Sequence, residues 1–278
     1  MASFAPTALD DGALEWLACP ACRAPLQRRG SIVTGSLVCS RCGACYPVGD
    51  GLAHLAREAE VPRRDRRLRA IYDALPGLHD PLTDLLEPLH RRRGDLGREG
   101  YLRRLELASL RPGARLLEVG IGAGVNVGLI RSRLPAALPI EYVGVDLSRG
   151  MLEQCARRLA RGGASGVRLL LGDAHRLPLR DHACERVFSI GSLGGHGDPR
   201  RALAELARVA VPGSPIVVVD EALDPRRPHG LLPRALFRAI TFYEPAPRSP
   251  RDLLPPGAHD VVDEAITAFY YCLTVRVG

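Results

Sequence analysis

The sequence predicts an α/β fold, a doubly wound and mainly parallel sheet preceded by a small cysteine-rich β module. Three observations carry this. From Tyr101 onward short apolar runs alternate with segments of helical periodicity. Those runs are apolar at consecutive positions, as a sheet covered on both faces requires. Near the N-terminus, four cysteines stand as two CxxC pairs. The 278 residues, 46% hydrophobic and 25% charged, leave room for one large domain with a small appendage. No stretch reaches the roughly 18 apolar residues of a membrane span. Asp10, Asp11 and Glu15 stand where a secretory leader needs a basic and then an apolar region. Membrane-spanning and secreted readings are therefore set aside, and a cytoplasmic chain is expected.

The formal charge of +7 raises nucleic acid as a partner, but all 38 basic residues are arginine and the excess is thinly spread. Local runs occur only at 63–69 and 91–93. A polyanion footprint is a concentrated stripe, so RNA stands as the second partner class behind a small molecule.

Cys19-Pro20-Ala21-Cys22 and Cys39-Ser40-Arg41-Cys42 each form a tight knuckle that aims two thiolates at one point. Two such knuckles complete a tetrahedral four-sulfur site, closed and therefore structural, which suits Zn2+. Disulfides and redox CxxC motifs are the alternative, disfavoured in a cytosolic chain with this doubled spacing. Between the knuckles, 31–34 and 37–39 alternate around Gly35-Ser36 and predict a β-hairpin. With Pro25-Leu26 and the run Tyr46-Pro47-Val48-Gly49-Asp50-Gly51, residues 19–55 resemble the zinc-ribbon proteins that activate eukaryotic tRNA and protein methyltransferases. The segment Leu52-Ala53-His54-Leu55 departs from the Ile-Pro usual there. A ribbon this small cannot build a sufficient core unaided, so the metal is part of its fold.

The organisation read from the chain is an N-terminal lead (1–17), a zinc ribbon (18–58), a helical linker and cofactor lid (59–100) and a larger domain (101–278). A charge-rich helix is expected over 59–75, and short helices and loops over 78–100, where Pro and Gly recur. Helical spacing covers Tyr101–Leu110. Strands follow at Arg115–Val119, Ile140–Val145, Val167–Leu171, Arg186–Ile190 and Ile216–Asp220, with helices over 126–134, 151–159 and 201–209 between them. An apolar helix (231–242) and a closing strand (268–277) end the chain. Strands joined this way form a Rossmann-like sheet with right-handed crossovers.

Glu118-Val119-Gly120-Ile121-Gly122-Ala123-Gly124 ends the first strand, where open α/β sheets bind ligands. The spacing is GxGxG; it lacks the third glycine of a dinucleotide fingerprint and the GK[ST] of a P-loop. Taken singly, Asp146 reads as a helix cap, Asp173 as a turn residue and the glycines as a packing turn. Taken in order, residues 101–221 resemble the class I S-adenosylmethionine-dependent methyltransferases, of the quinone-pathway and natural-product type. The resemblance implies that Glu118 positions the loop and faces the cofactor's ammonium end. It further implies that Gly120, Gly122, Gly124 and Asn126 let the backbone approach, that Asp146 and Leu147 hold the ribose, and that Asp173 and Ala174 meet the adenine. Ser189 then lies against the transferring methyl group, and Tyr72, in Ile71-Tyr72-Asp73, covers the cofactor.

Methyl transfer is an in-line displacement with a good leaving group, so a base is needed only where the acceptor keeps its proton. His196 is the first candidate for base or acceptor ligand, since imidazole titrates near the working pH. Asp220 and Glu221, ending the fifth strand, come next. The expected activity is methyl transfer to a small-molecule acceptor in secondary metabolism or a quinone-like pathway. An rRNA or tRNA methyltransferase gripping its substrate with the ribbon is one alternative; a non-catalytic docking protein is the other. With 5% aromatic residues, surfaces for base stacking are scarce.

Overall fold

The computed structural model describes residues 4, 7–74, 76, 94–135, 138–163, 165–244 and 246–278. The loops and helices expected over 78–100 therefore lie, up to residue 93, outside the described residues.

The strands are β1 (Leu26–Gly30), β2 (Gly35–Cys39), β3 (Cys45–Gly49), β4 (Leu52–His54), β5 (Arg115–Val119), β6 (Glu141–Asp146), β7 (Val167–Leu171), β8 (Arg186–Ile190), β9 (Ile216–Glu221), β10 (Ala258–Ala265) and β11 (Tyr270–Val277). The helices are α1 (Arg63–Ala74), α2 (Arg98–Arg104), α3 (Val125–Arg131), α4 (Arg149–Arg161), α5 (Pro199–Val209) and α6 (Leu231–Ile240). All eleven strands form one sheet, in the order β1-β2-β3-β4-β7-β6-β5-β8-β9-β11-β10. The block from β7 to β9 is parallel, and its order reverses between β5 and β8. That reversal opens a crevice at the carboxyl ends of the strands, where such sheets hold ligands.

The ribbon is continuous with this sheet. β4 runs parallel to β7, with Ala53 opposite Leu170 and His54 opposite Leu171, and Leu55 N–H donates to Leu171 O at 2.7 Å. The N-terminal lead adds a second seam: Ala18 N–H donates to Pro178 O and Arg180 N–H to Trp16 O. Trp16, Leu17, Leu26, Leu37 and Tyr46 are buried in one apolar cluster with Val143, Leu177 and Leu179. Each fully buried Leu or Phe contributes roughly 1.5–3 kcal/mol, so this shared cluster ties the ribbon's stability to that of the larger unit.

Three elements differ from the sequence expectation. The hairpin forms from 26–30 and 35–39, with Ser31 to Thr34 as its turn; Ser31 Oγ accepts from Thr34 N–H at 2.9 Å, a local bond that ends the strand. β10 went unseen because His259, Asp260, Asp263 and Glu264 mask its alternation. On α6, Phe237 is buried, whereas Leu231 and Leu232 are exposed. Among the described residues, no helix is long and apolar enough to cross a membrane.

Candidate metal centre and cofactor cleft

Cys19, Cys22, Cys39 and Cys42 converge, with all four sulfurs within 4.8 Å of one another. Cys19 and Cys42 Sγ are 3.8 Å apart, and Cys22 and Cys39 Sγ 3.4 Å. Four thiolates about 2.3 Å from one zinc ion lie about 3.8 Å apart, so the donor set fits. The knuckles turn through left-handed backbone at Arg23 (φ 64°) and Gly43 (φ 71°). Burial pushes the Cys39 thiol up, but the N–H groups of Cys42 and Arg41, both 3.4 Å from Sγ, outweigh it and bring it down to about 6. Cys39 is thus arranged for thiolate, whereas at Cys42 the Ala44 N–H bond is outweighed by the neighbouring sulfurs, which push that thiol up to about 11. Tyr46 Oη lies 3.1 Å from Cys19 Sγ, supporting a ligand from behind. Cys45 is exposed and outside the cluster.

The cleft is built on the turn after β5. Gly120 (φ 73°) and Gly124 (φ 74°) occupy left-handed backbone, and a Cβ there would lie 2.2 Å from Ser192 Oγ and 2.5 Å from Cys155 Sγ. These close approaches leave room only for hydrogen, and they wrap the turn tightly against β8 and α4. Glu118 is fully buried behind the turn, accepting from Asn126 Nδ2 at 2.6 Å and from the Tyr142 hydroxyl. Tyr101 Oη donates to Asn126 Oδ1, extending the chain to α2. Burial pushes the Glu118 carboxyl up to about 7 despite these bonds, and the Asp146 charge adds to the rise.

Asp146 ends β6. Its Oδ2 accepts from Gly122 N–H and its Oδ1 from Ser148 N–H, each at 2.8 Å. Each oxygen keeps lone pairs for a further donor. Leu147 is half-buried in the following turn, and Ala174 is buried after β7. Asp173 turns Oδ1 toward His175, 2.9 Å from its N–H and 2.7 Å from Nδ1. Burial raises the Asp173 carboxyl, but the bonds to His175 outweigh it and leave it below its ordinary value. Ser189 is buried at the end of β8, its Oγ 2.8 Å from Ser192 Oγ.

α1 lies across the crevice, fastened at both ends. Asp73 Oδ1 accepts from Ser148 Oγ at 2.6 Å and Gly150 N–H at 3.0 Å. Asp65 accepts from Gly197 N–H at 2.9 Å and pairs with His196 Nδ1 at 3.0 Å. Arg64 donates to Gly194 O and Tyr243 O. Between these ties, burial and then the charges of Glu221, Asp146 and Asp220 push the Tyr72 hydroxyl up to about 12. The Tyr72 hydroxyl, on the last turn of α1, is therefore close to the Asp146, Asp220 and Glu221 carboxylates.

Asp220 is buried, accepting from Gly194 N–H at 2.6 Å and Glu221 N–H at 3.0 Å. Burial and the adjacent Glu221 charge drive its carboxyl well above the usual range. Tyr243 donates its hydroxyl to Glu221 Oε2. The structure thus gathers Tyr72, Asp146, Asp220 and Glu221 around one crevice and ties His196 to the lid through Asp65. Sequence reasoning missed Asp65, His175 and Tyr243. Asp65 sits in an arginine-rich helix whose charges read as solvated, and no local spacing marks it as a partner of His196, 131 residues away.

Comparison with known proteins gives two family matches, one described as a methyltransferase domain over residues 117–218 and one as a Trm112p-like protein over residues 11–51. A demethylmenaquinone methyltransferase of Thermus thermophilus is 33% identical over 160 residues, which are 58% of this chain and 70% of that protein. A solved S-adenosylmethionine-dependent methyltransferase from Aquifex aeolicus superposes with a TM-score of 0.51 at 18% identity, covering 73% of this chain and 98% of the other. A chain from the complex between the Haloferax volcanii Trm112 methyltransferase activator and a methyltransferase gives a TM-score of 0.50 at 17% identity, covering 75% and 96%.

Proposed function

The chain belongs to the class I S-adenosylmethionine-dependent methyltransferases and carries a Trm112p-like zinc ribbon, and from that premise we propose that it methylates a small molecule bearing an ionisable hydroxyl, of the quinone-precursor kind. The bound cofactor supplies an electrophilic methyl group on a sulfonium, a centre that needs no help in leaving. The chain's own residues bind, cover and position. Asp146, its oxygens set by Gly122 and Ser148, offers its remaining lone pairs to the ribose hydroxyls. Asp173 keeps Oδ2 for the adenine amino group while Oδ1 serves His175. Glu118, Asn126, Tyr101 and Tyr142 hold the glycine turn in its tight path.

One observation carries the acceptor reading: Asp220 and Glu221 end β9 with the Tyr243 hydroxyl on Glu221 and Tyr72 within reach of both charges. α1 meets them through the turn at Gly194, whose O accepts from Arg64 and whose N–H donates to Asp220. Burial and the adjacent Glu221 hold the Asp220 carboxyl well above its usual range. In this reading Glu221 takes the proton from the acceptor hydroxyl, and Tyr243 orients its carboxylate. His196 is held to α1 by Asp65. The ties that fasten α1 across the crevice, through Arg64, Asp65 and Asp73, favour a compact acceptor over an RNA strand.

The test is transfer of labelled methyl into a cell lysate, split into solvent-extractable, nucleic-acid and protein fractions. Label in the extractable fraction is the expected result; label in RNA makes the ribbon a substrate grip and overturns the reading. On the identified acceptor, Glu221→Gln lowers kcat by about a hundredfold or more with cofactor Kd unchanged.

A further inference from the structure

A second cluster of metal-binding side chains lies outside the ribbon. One donor atom each from Asp65, His175 and His196 falls within 4.8 Å of the others. The three come from separate parts of the chain: the lid helix α1, the turn after β7 and the turn after β8. We propose that they form a nitrogen- and oxygen-donor site for a first-row divalent transition ion, which fastens α1 over the cofactor crevice.

Burial, orientation and spacing support this. Asp65 and His175 are almost wholly buried, at 5% and 3% exposure, so neither is a solvated surface group. His175 is already oriented as a ligand. Its Nδ1 bonds Asp173 Oδ1 at 2.7 Å, the carboxylate support that ligating imidazoles carry. Its Nε2 meets only the long 3.3 Å contact from Asp198 N–H, which an ion displaces at little cost. His196 Nδ1 lies 3.0 Å from Asp65 Oδ1, and two donors about 2.1 Å from one ion at right angles are about 3.0 Å apart.

Carboxylates gather there: Asp173 bonds His175, Asp65 bonds His196, and Asp198 follows two residues after His196. Arg201 Nε donates to the His175 carbonyl at 2.9 Å. Two imidazoles with one carboxylate select zinc, iron or manganese over magnesium or calcium. Three protein donors leave coordination positions open, as in sites that accept an exchangeable ligand. His175 also borders a cleft of about 390 Å³ between the first ribbon knuckle and α5, lined by Cys22, Arg23 and Glu205 among others.

The test uses full-length protein with its ribbon zinc in place, titrated with Co2+ and followed by calorimetry and visible absorption. One further equivalent is expected, giving weak bands without the intense thiolate charge transfer that cobalt in the ribbon would show. His175→Ala and His196→Gln remove that equivalent and keep the ribbon zinc; Asp173→Asn, one step behind the ligands, weakens it by 10–100-fold. A wild-type protein that takes up no second equivalent, or one whose only cobalt bands carry thiolate charge transfer, overturns the proposal however the variants fold. So does a second equivalent that survives in both histidine variants.

Discussion

The ribbon and the cofactor crevice share one sheet but are held together in opposite ways. In the ribbon, β1 exposes most of its side chains and the hairpin turn has Ile32 and Val33 in solvent; closure rests on four thiolates brought together by local turns. Around the crevice, β5, β6 and β8 are buried almost throughout, and closure rests on apolar packing. The crevice therefore tolerates costly groups that the ribbon could not. A fully buried Glu118 and a buried Asp220 persist because the surrounding packing over-determines their positions. A cross-link makes a small module possible, whereas a large core leaves room for chemistry.

The largest expected effect breaks this comparison at its metal side. Chelation of the ribbon zinc, or Cys39→Ser, removes a term of order 10 kcal/mol in isolated zinc modules. Because Cys39, Tyr46 and Leu37 lie in the same apolar cluster as Leu177 and Leu179, the loss is expected to spread beyond the ribbon. Thermal unfolding followed by far-ultraviolet circular dichroism should show one transition shifted down by more than 10 °C, with cofactor binding lost. An intact cofactor-binding unit after zinc removal would separate the two regions.

Next in size is Asp146→Ala, aimed at the crevice alone. It removes the carboxylate that Gly122 and Ser148 orient, and cofactor affinity measured by calorimetry is expected to fall by at least a thousandfold. The melting temperature of the unliganded protein should move by only a few degrees. Normal cofactor affinity in this variant would mean that the ribose is held elsewhere.

The smallest effect sharpens the claim that the core supports an unfavourable group. Glu118 is raised from 4.5 to about 7, so the folded chain binds its proton more tightly than the unfolded chain does. That contribution to stability is fully present below pH 4.5 and is lost as the pH rises through 7. The loss is of order 3 kcal/mol at most. Glu118→Gln removes the charge, keeping the bond from Asn126 on its amide oxygen and turning the bond with Tyr142 so that the amide donates to the hydroxyl oxygen. Its urea midpoint should therefore fall less than that of the parent between pH 5 and pH 8. Equal pH dependence in the two proteins would place the Glu118 carboxyl near its ordinary value.

What was legible in the sequence follows the same division. The ribbon's ligands are set by spacing within 24 positions, and they converge as read because a CxxC turn fixes its own geometry. The parallel strands were legible because burial on both faces makes them uniformly apolar; β10 was not, because charge hides its period. Asp146 and Glu118 were readable from their places at strand ends. Asp65 and Tyr243 were not, since their partners, His196 and Glu221, are assigned by tertiary packing rather than by any local pattern.

The pairing of β4 with β7 has a further consequence for anyone dissecting the molecule. The outermost strands of the sheet are guarded by charge, Arg28 and Arg29 at one side and Asp260, Asp263 and Glu264 at the other. β7, reading Val-Arg-Leu-Leu-Leu, carries one charge, Arg168, against four apolar residues, and the ribbon covers its free side. A version cut at residue 58 would bare that strand as a template for self-association, the situation natural sheets avoid. Because β4 precedes β7 in the chain, the ribbon strand is synthesised before the strand it covers.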